Sequence, residues 1–420
     1  MKAVCALLAL VTYCAAQTPT PCESPKQWEG RLYRSDRTHN TNVLAKISYD
    51  EVNQRGRIIE EVQEGSTQSF YDVLFIHSVN KEYRLDLKTR KCNVTNLDRP
   101  FRPMGVPPFA RFLFEATIGA AGFPGESLIA QTWDGEFEDK SRFIVSTTYP
   151  DCVPLNSGYF SNSTGFIQDN FFDITVGISD PSVFIPPTEC GMYSEGIPAA
   201  PIVASNTKRA SGGIPIVRNG SEFLTDLKMK FMLAFFALVA FCGAQKPTPC
   251  NSPEQWEGRI YRSDKSKAFT EFGRVSYDQR NMRVRIIEER EVGSTKDYYD
   301  TLYLHNIQRK YRLDLTTRKC NVTDLTDPFR PFGVPPFARF LFEAEVGAAG
   351  VPGESLVAQT WDGEFEDHSK FMITATYPDC VPITSVFFSN DTGFVSSDFY
   401  DITAGISDPM VFIPPIECNM

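Results

Sequence analysis

The chain has 420 residues, a formal net charge of −10, 42% hydrophobic and 22% charged residues. That length suits two or three domains. The acidic balance, without clustered Lys and Arg, argues against a nucleic-acid partner.

In chain order, Met1–Ala16 reads as a signal peptide. Lys2 starts it, Ala3 to Val11 form a short apolar core, and Cys14-Ala15-Ala16 offers small residues for a cut after Ala16. The apolar run is too short for a transmembrane anchor. Entry into an oxidising compartment is expected, where cysteines pair.

The body of the chain is written twice at one constant offset. QWEGR at Gln27–Arg31 returns at Gln255–Arg259, YRLDL at Tyr83–Leu87 at Tyr311–Leu315, and AQTWDGEFED at Ala130–Asp139 at Ala358–Asp367. Cys22, Cys92, Cys152 and Cys190 match Cys250, Cys320, Cys380 and Cys418. The repeat begins before the domain does, because Met229–Ala244 reads as a second complete signal peptide. The expected divisions are a signal peptide at 1–16, a first domain at 17–190, and a Gly-, Pro-, Ala- and Ser-rich linker at 191–228. An internal signal-like segment at 229–244 and a second domain at 245–420 follow. Three origins compete for the internal start signal: neighbouring genes joined in one transcript, one polypeptide split after Ala244, or a retained apolar segment. The first two are favoured, since an exposed apolar stretch in a linker is an aggregation liability.

Within each unit the pattern is strand-dominated. Tyr83, Leu85 and Leu87 alternate with charged neighbours; Phe143, Val145 and Thr147 share one face, and Phe172, Ile174 and Val176 repeat the pattern. Asp134-Gly135 and Asp362-Gly363 suit tight hairpin turns. Pro100–Pro108, Gly119–Gly125 and Pro181–Pro187 mark loops. The expected fold class is all-β and mainly antiparallel, each unit a curved sheet or half-barrel.

Eight of the 11 cysteines lie outside the two signal-like segments, four per unit, and four cysteines allow three connectivities. Sequons place surface glycans at Asn93, Asn162, Asn321 and Asn390, with a further one at Asn219 in the linker.

The four histidines, His39, His77, His305 and His368, show no zinc spacing. The matched pair His77 and His305 reads as strand-end residues. Gly125-Glu126-Ser127 is a fragment of a nucleophile elbow without its closing glycine. A hydrolase would need a base and nucleophile such as His77 and Ser127 brought together, so the chain is read as a non-enzyme. The cluster Asp134, Glu136, Glu138 and Asp139 reads as a solvated hairpin tip, with calcium as the alternative. No cofactor is required.

The opening PCESPKQWEGR (Pro21–Arg31), LDLKTRKC ending at Cys92, YPDC ending at Cys152 and the closing FFDITVGISDPSVFIPPTEC (Phe171–Cys190) resemble the ependymin family. The second unit repeats all four blocks. The resemblance implies two facing antiparallel sheets forming a half-barrel with a deep apolar pocket. It implies glycosylation, homodimers, secretion or residence in the lysosomal lumen, binding of lipids, and association with calcium. Carried onto this chain, it pairs Cys22 with Cys152, Cys92 with Cys190, Cys250 with Cys380 and Cys320 with Cys418.

The expected function is a secreted glycoprotein that binds lipid or another hydrophobic ligand. Its pocket candidates are Tyr83, Leu85, Leu87, Phe112, Phe114, Trp133, Phe143, Val145, Phe172 and Ile174. Their copies are Tyr311, Leu313, Leu315, Phe340, Phe342, Trp361, Phe371, Ile373, Tyr400 and Ile402. The rival is a structural or adhesive glycoprotein of the extracellular matrix, in which the apolar interior is core alone.

Overall fold

A computed structural model describes residues 19–36, 39, 41–121, 125–161, 165–191, 247–264, 269–326, 328–351, 353–389 and 393–419. Both signal-like segments, the linker after residue 191, and the sequons at Asn162, Asn219 and Asn390 lie outside the described residues.

The first copy contains β1 (Gln27–Asp36), β2 (Thr41–Asp50), β3 (Arg55–Glu64), β4 (Thr67–Ile76), β5 (Lys81–Asp86) and β6 (Cys92–Asn96). It continues with β7 (Arg111–Gly119), β8 (Ser127–Glu136), β9 (Arg142–Thr148), β10 (Pro154–Ser161) and β11 (Gly165–Val176). The second repeats them as β12 (Gln255–Asp264), β13 (Phe269–Asp278), β14 (Arg283–Val292), β15 (Thr295–Leu304), β16 (Arg309–Asp314) and β17 (Cys320–Asp324). Then come β18 (Arg339–Gly347), β19 (Ser355–Glu364), β20 (Lys370–Thr376), β21 (Pro382–Ser389) and β22 (Gly393–Ala404). Each copy forms one antiparallel 11-stranded sheet, ordered β6-β5-β4-β3-β2-β1-β11-β10-β9-β8-β7 in the first. The ladder does not close: β6 and β7 are its two ends. The two layers expected of each half-barrel are thus halves of a single hydrogen-bonded sheet.

Alternation along the strands gives every sheet two faces. On one, Trp28 and Leu32 pack with Ala45, Ile47, Tyr49 and Phe171. Trp133 and Val145, further along, pack with Val106 and Cys152. The segment between β6 and β7 covers both groups, through Phe101 and Met104 in one and Val106 in the other. We call this the tryptophan face. The opposite face of β4 and β5 buries Leu74, Ile76, Tyr83 and Leu85 beneath Phe184 and Cys190 of the closing segment. That segment starts as a 3-10 turn, Pro181–Phe184, capped by Asp180, whose carboxylate accepts from the Ser182 amide at 2.9 Å.

The repeated QWEGR motif is explained position by position. Gln27 donates to Asp50 at 2.9 Å, and Trp28 is fully buried. Glu29 accepts from Ser48 and from the Ser179 amide, tying the closing segment down. Arg31 reaches Asp173. Gly30 lies where the register between β1 and β11 shifts, and Asp173 takes a φ of +50°. This is a β-bulge: an extra residue on β11 is absorbed by a left-handed turn that Asp tolerates better than most residues. A Cβ on Gly30 would lie 3.0 Å from both the Phe172 carbonyl and Ile174 Cγ1. Gly30→Ala is expected to cost about 1–3 kcal/mol; an unchanged denaturant midpoint would remove this role.

The bulge corrects one expectation. Phe172 and Ile174 do not share a face: Ile174 joins the Trp28 cluster, while Phe172 points into a separate core. A second correction concerns Asp134-Gly135, which lies inside β8 rather than at a hairpin tip. The turn falls at Phe137–Ser141, closed by the Phe137 amide on the Ser141 carbonyl at 2.8 Å. Gly135 serves packing instead, since a Cβ there would sit 2.6 Å from the Phe143 ring. Gly363 does the same against Phe371.

The two copies form one compact unit. Their seam is a shared core in which Ala116, Ile118, Leu128, Ala130, Leu155 and Phe172 meet their counterparts from the second copy. Phe172 packs edge-on against Phe342 at 5.1 Å, and Phe114 against Tyr400 at 5.2 Å. Asp173 accepts from the Glu345 amide at 2.7 Å and Asp401 from the Thr117 amide at 2.8 Å. The open edge at β7 is therefore met by β22, and that at β18 by β11.

Candidate functional site

On the face opposite Trp256 in the second copy, an open groove of about 820 Å³ runs across β12–β15 and β22 toward the closing segment. The first copy has a smaller equivalent of about 430 Å³, lined by Glu29, Arg31, Leu44, Lys46, Asp173 and Thr175. Both volumes fall in the range of small-molecule pockets.

The larger groove is amphipathic. Its apolar wall comes from Phe272, Ile287, Tyr298, Leu315, Met410 and Val411. Ile287 is 41%, Tyr298 40% and Met410 63% exposed, so sizeable apolar surface faces solvent in one continuous tract. The polar groups are fixed by partners. Arg259 pairs with Asp401 and donates to the Glu115 carbonyl across the seam at 3.1 Å. Arg285 is held by Asp300 and by the Val411 carbonyl, which anchors the closing segment along one side. Glu257 loses solvation through burial, yet its hydrogen bonds from Ser407 and Ser276 and the nearby Arg274 hold its pKa below the usual carboxylate value. Its carboxylate accepts from the Ser407 amide at 3.0 Å. Aliphatic and aromatic rings flanked by oriented charges can hold a molecule with an apolar body and a polar end. At this groove Phe272 and Met410 stand where the first copy has Leu44 and Ser182.

The expected pocket residues are distributed over several clusters. Phe112, Trp133, Phe143 and Val145 lie together on the tryptophan face beside the Cys22–Cys152 disulfide. Phe340, Trp361 and Ile373 do likewise in the second copy, while Phe371 packs against Phe337 and Phe365. Tyr83, Leu85 and Leu87 form the opposite-face cluster under Phe184. Tyr311 packs with Leu302 and Phe412; Leu313 is buried. Phe114, Phe172, Phe342 and Tyr400 belong to the seam. Ile174 and Ile402 join the Trp28 and Trp256 clusters. Of the twenty, only Leu315 lines the larger groove, and none lines the smaller. Alternating hydrophobicity marks which side chains leave the strand on the same side. It does not say which side is roofed by another element, and the groove is a part that no other described element roofs.

The sulfurs pair as Cys22–Cys152, Cys92–Cys190, Cys250–Cys380 and Cys320–Cys418, the set the resemblance implies. Asn93 and Asn321 are exposed on the outermost strands β6 and β17. The acidic cluster is engaged locally. Asp134 takes two hydrogen bonds from Arg111, at 3.0 and 2.7 Å. Glu136 binds Lys140 and Arg142, and Asp139 accepts from the Ser141 amide. Among the described residues no group of three or more His, Cys, Asp or Glu side chains could hold a metal. His77 packs edge-on against Phe101 at 5.3 Å, and burial together with Arg99 lowers its pKa. Ser127 opens β8 opposite Gly119. Among the described residues no helix is long and apolar enough to cross a membrane.

The family model described as Ependymin matches residues 65–190 and again 293–418. Mammalian ependymin-related protein 1 of Rattus norvegicus is 32% identical over 178 residues, covering 41% of this chain and 77% of that protein. Its Mus musculus counterpart matches to the same extent. Ependymin-2 of Carassius auratus is 24% identical over 177 residues, 42% of this chain and 82% of that protein.

Proposed function

The chain belongs to the ependymin family, a family of extracellular glycoproteins, and from that premise we propose that it carries a hydrophobic or amphiphilic ligand in the groove of its second copy. The observation that carries this reading is the 820 Å³ groove with Ile287, Tyr298 and Met410 left partly in water. Covering such side chains stabilises a complex by roughly 25 cal/mol for each Å² of apolar surface removed from water. The smaller groove of the first copy would take a shorter or thinner ligand. Calcium has no part in the proposal, since three of its candidate carboxylates are committed to neighbouring side chains.

The test is uptake of an uncharged apolar dye, N-phenyl-1-naphthylamine, by the full chain. Binding is expected, and Ile287→Asp is expected to weaken it about tenfold or more, because a charge would stand in the apolar wall. Ile287 is partly exposed, so the melting temperature should hardly move. A chain that takes up no dye, or an Ile287→Asp variant that binds it equally well, would discard the carrier reading. The structural glycoprotein reading would then lead.

A further inference from the structure

The two copies are not identical where they meet. One small cavity of about 30 Å³ lies within the seam, and its walls come in matched pairs: Ile118 with Val346, Leu155 with Ile383, and Asn170 with Asp398. The members of each pair hold the same place in the two copies. The cavity therefore sits about a local two-fold, and two like copies joined in this way would present every position twice. Its volume suits a water rather than a larger ligand.

Charge differs at one of these positions. Asn170 stands opposite Asn156 on the ladder of the first copy, and Asp398 opposite Thr384 in the second. As built, the cavity is lined by one carboxyl and two amides. Burial pushes the Asp398 carboxyl up to about 6, so near neutrality it is mostly ionised. A neutral amide can donate to that charge, directly or through a water. Two second copies joined alike would bring two carboxyls into one cavity, where like charges held close in a low dielectric repel. Two first copies would bring amides only and meet no such penalty.

A second difference works against the other like pair. Tyr400 is buried, its hydroxyl hydrogen-bonds with Thr132 and Ser146 of the first copy, and its ring packs on Phe114. Phe172 takes its place in the first copy and offers no hydroxyl. The counterparts of Thr132 and Ser146 are Thr360 and Thr374, whose hydroxyls bond each other at 3.0 Å. Phe272 also reaches Phe114, with ring centroids 5.4 Å apart, where the first copy has Leu44. Two first copies would therefore lose the tyrosine's bonds and one aromatic contact at each half of the seam.

We infer that the seam selects unlike copies: the second copy takes a first copy as its partner and rejects another second copy, through Tyr400 and Asp398. The attractive element is the Tyr400 hydroxyl on β8 and β9 of the first copy. The repulsive one is a doubled Asp398. A chain cut between its copies would thus stay together as an unlike pair. The groove of the carrier reading plays no part in this selection, so either can fail alone.

One test places an acid on both sides of the cavity in the full chain. Asn170→Asp is expected to accelerate hydrogen exchange about tenfold or more at the Thr117 and Glu345 amides, which bond across the seam. Adding Asp398→Asn only moves the acid to the other copy and is expected to restore protection. Asn170→Asp exchanging like the wild type, or a double variant no better protected than Asn170→Asp, overturns the proposal. The other test cuts the full chain once between residues 191 and 247. The cut protein is unfolded with its disulfides intact, refolded, and its pairs are counted by native mass spectrometry. Unlike pairs are expected to outnumber like pairs about tenfold, and Asp398→Asn is expected to raise pairs of two second copies several-fold. An equal split between like and unlike pairs in the wild type is chance assortment and overturns the selection, whatever the exchange rates show.

Discussion

Replacing Cys22 and Cys152 together by alanine is expected to destabilise the first copy by about 4–5 kcal/mol. The bond closes a loop with a sequence separation of 130, and constraining so long a loop removes much of the unfolded chain's freedom. It also ties the segment before β1 to the turn after β9, on the face where the Trp133 cluster gathers. Cys152 is only 2% exposed, so its removal adds a small cavity. Denaturant unfolding of the full chain should then show two transitions, the earlier from the first copy, because Cys250–Cys380 still holds the second. A single transition at the wild-type midpoint would show that this bond constrains nothing the sheet does not already fix.

The second large effect is expected at the seam. Asp173→Ala combined with Asp401→Ala removes two charge-assisted bonds to backbone amides, Glu345 at 2.7 Å and Thr117 at 2.8 Å. It also removes the ion pairs with Arg31 and Arg259, both partly exposed and so of small worth. Alanine must in addition adopt the left-handed backbone that both aspartates occupy. A total cost of about 3–6 kcal/mol follows for the pair. Hydrogen exchange at Thr117 and Glu345 should accelerate far more than exchange in β3 and β14. The Asp→Asn pair keeps an acceptor oxygen and a residue that tolerates the turn, so it should recover much of the protection. Equal exchange in all three proteins would mean that the aromatic core alone closes the seam.

Much of this architecture could be read from the residues because strands report themselves locally. The alternation of Tyr83 and Leu85, or of Phe143 and Val145, follows from two faces of unequal burial, and the offset between the copies doubles each reading. The cysteine pattern limited the connectivities to three and could not choose among them. The QWEGR motif announced importance without a reason, since its four side chains and the bare Gly30 backbone serve partners on β2, β11 and the closing segment.

The amino-acid sequence by itself determined that the protein is all-β, written twice, armed with four cysteines per copy, and of the ependymin kind. Hydrophobic period, repetition and motif order are properties of neighbouring residues and need no knowledge of contacts. Tertiary structure alone decided that Phe172 and Ile174 part company, because a one-residue bulge at Asp173 inverts the faces beyond it. It alone decided that Gly135 lies under a ring rather than in a turn, and that Phe114 and Phe172 belong to the core of the seam between the copies. Those outcomes depend on what lies across from each strand, and the groove is a surface that no other described element covers.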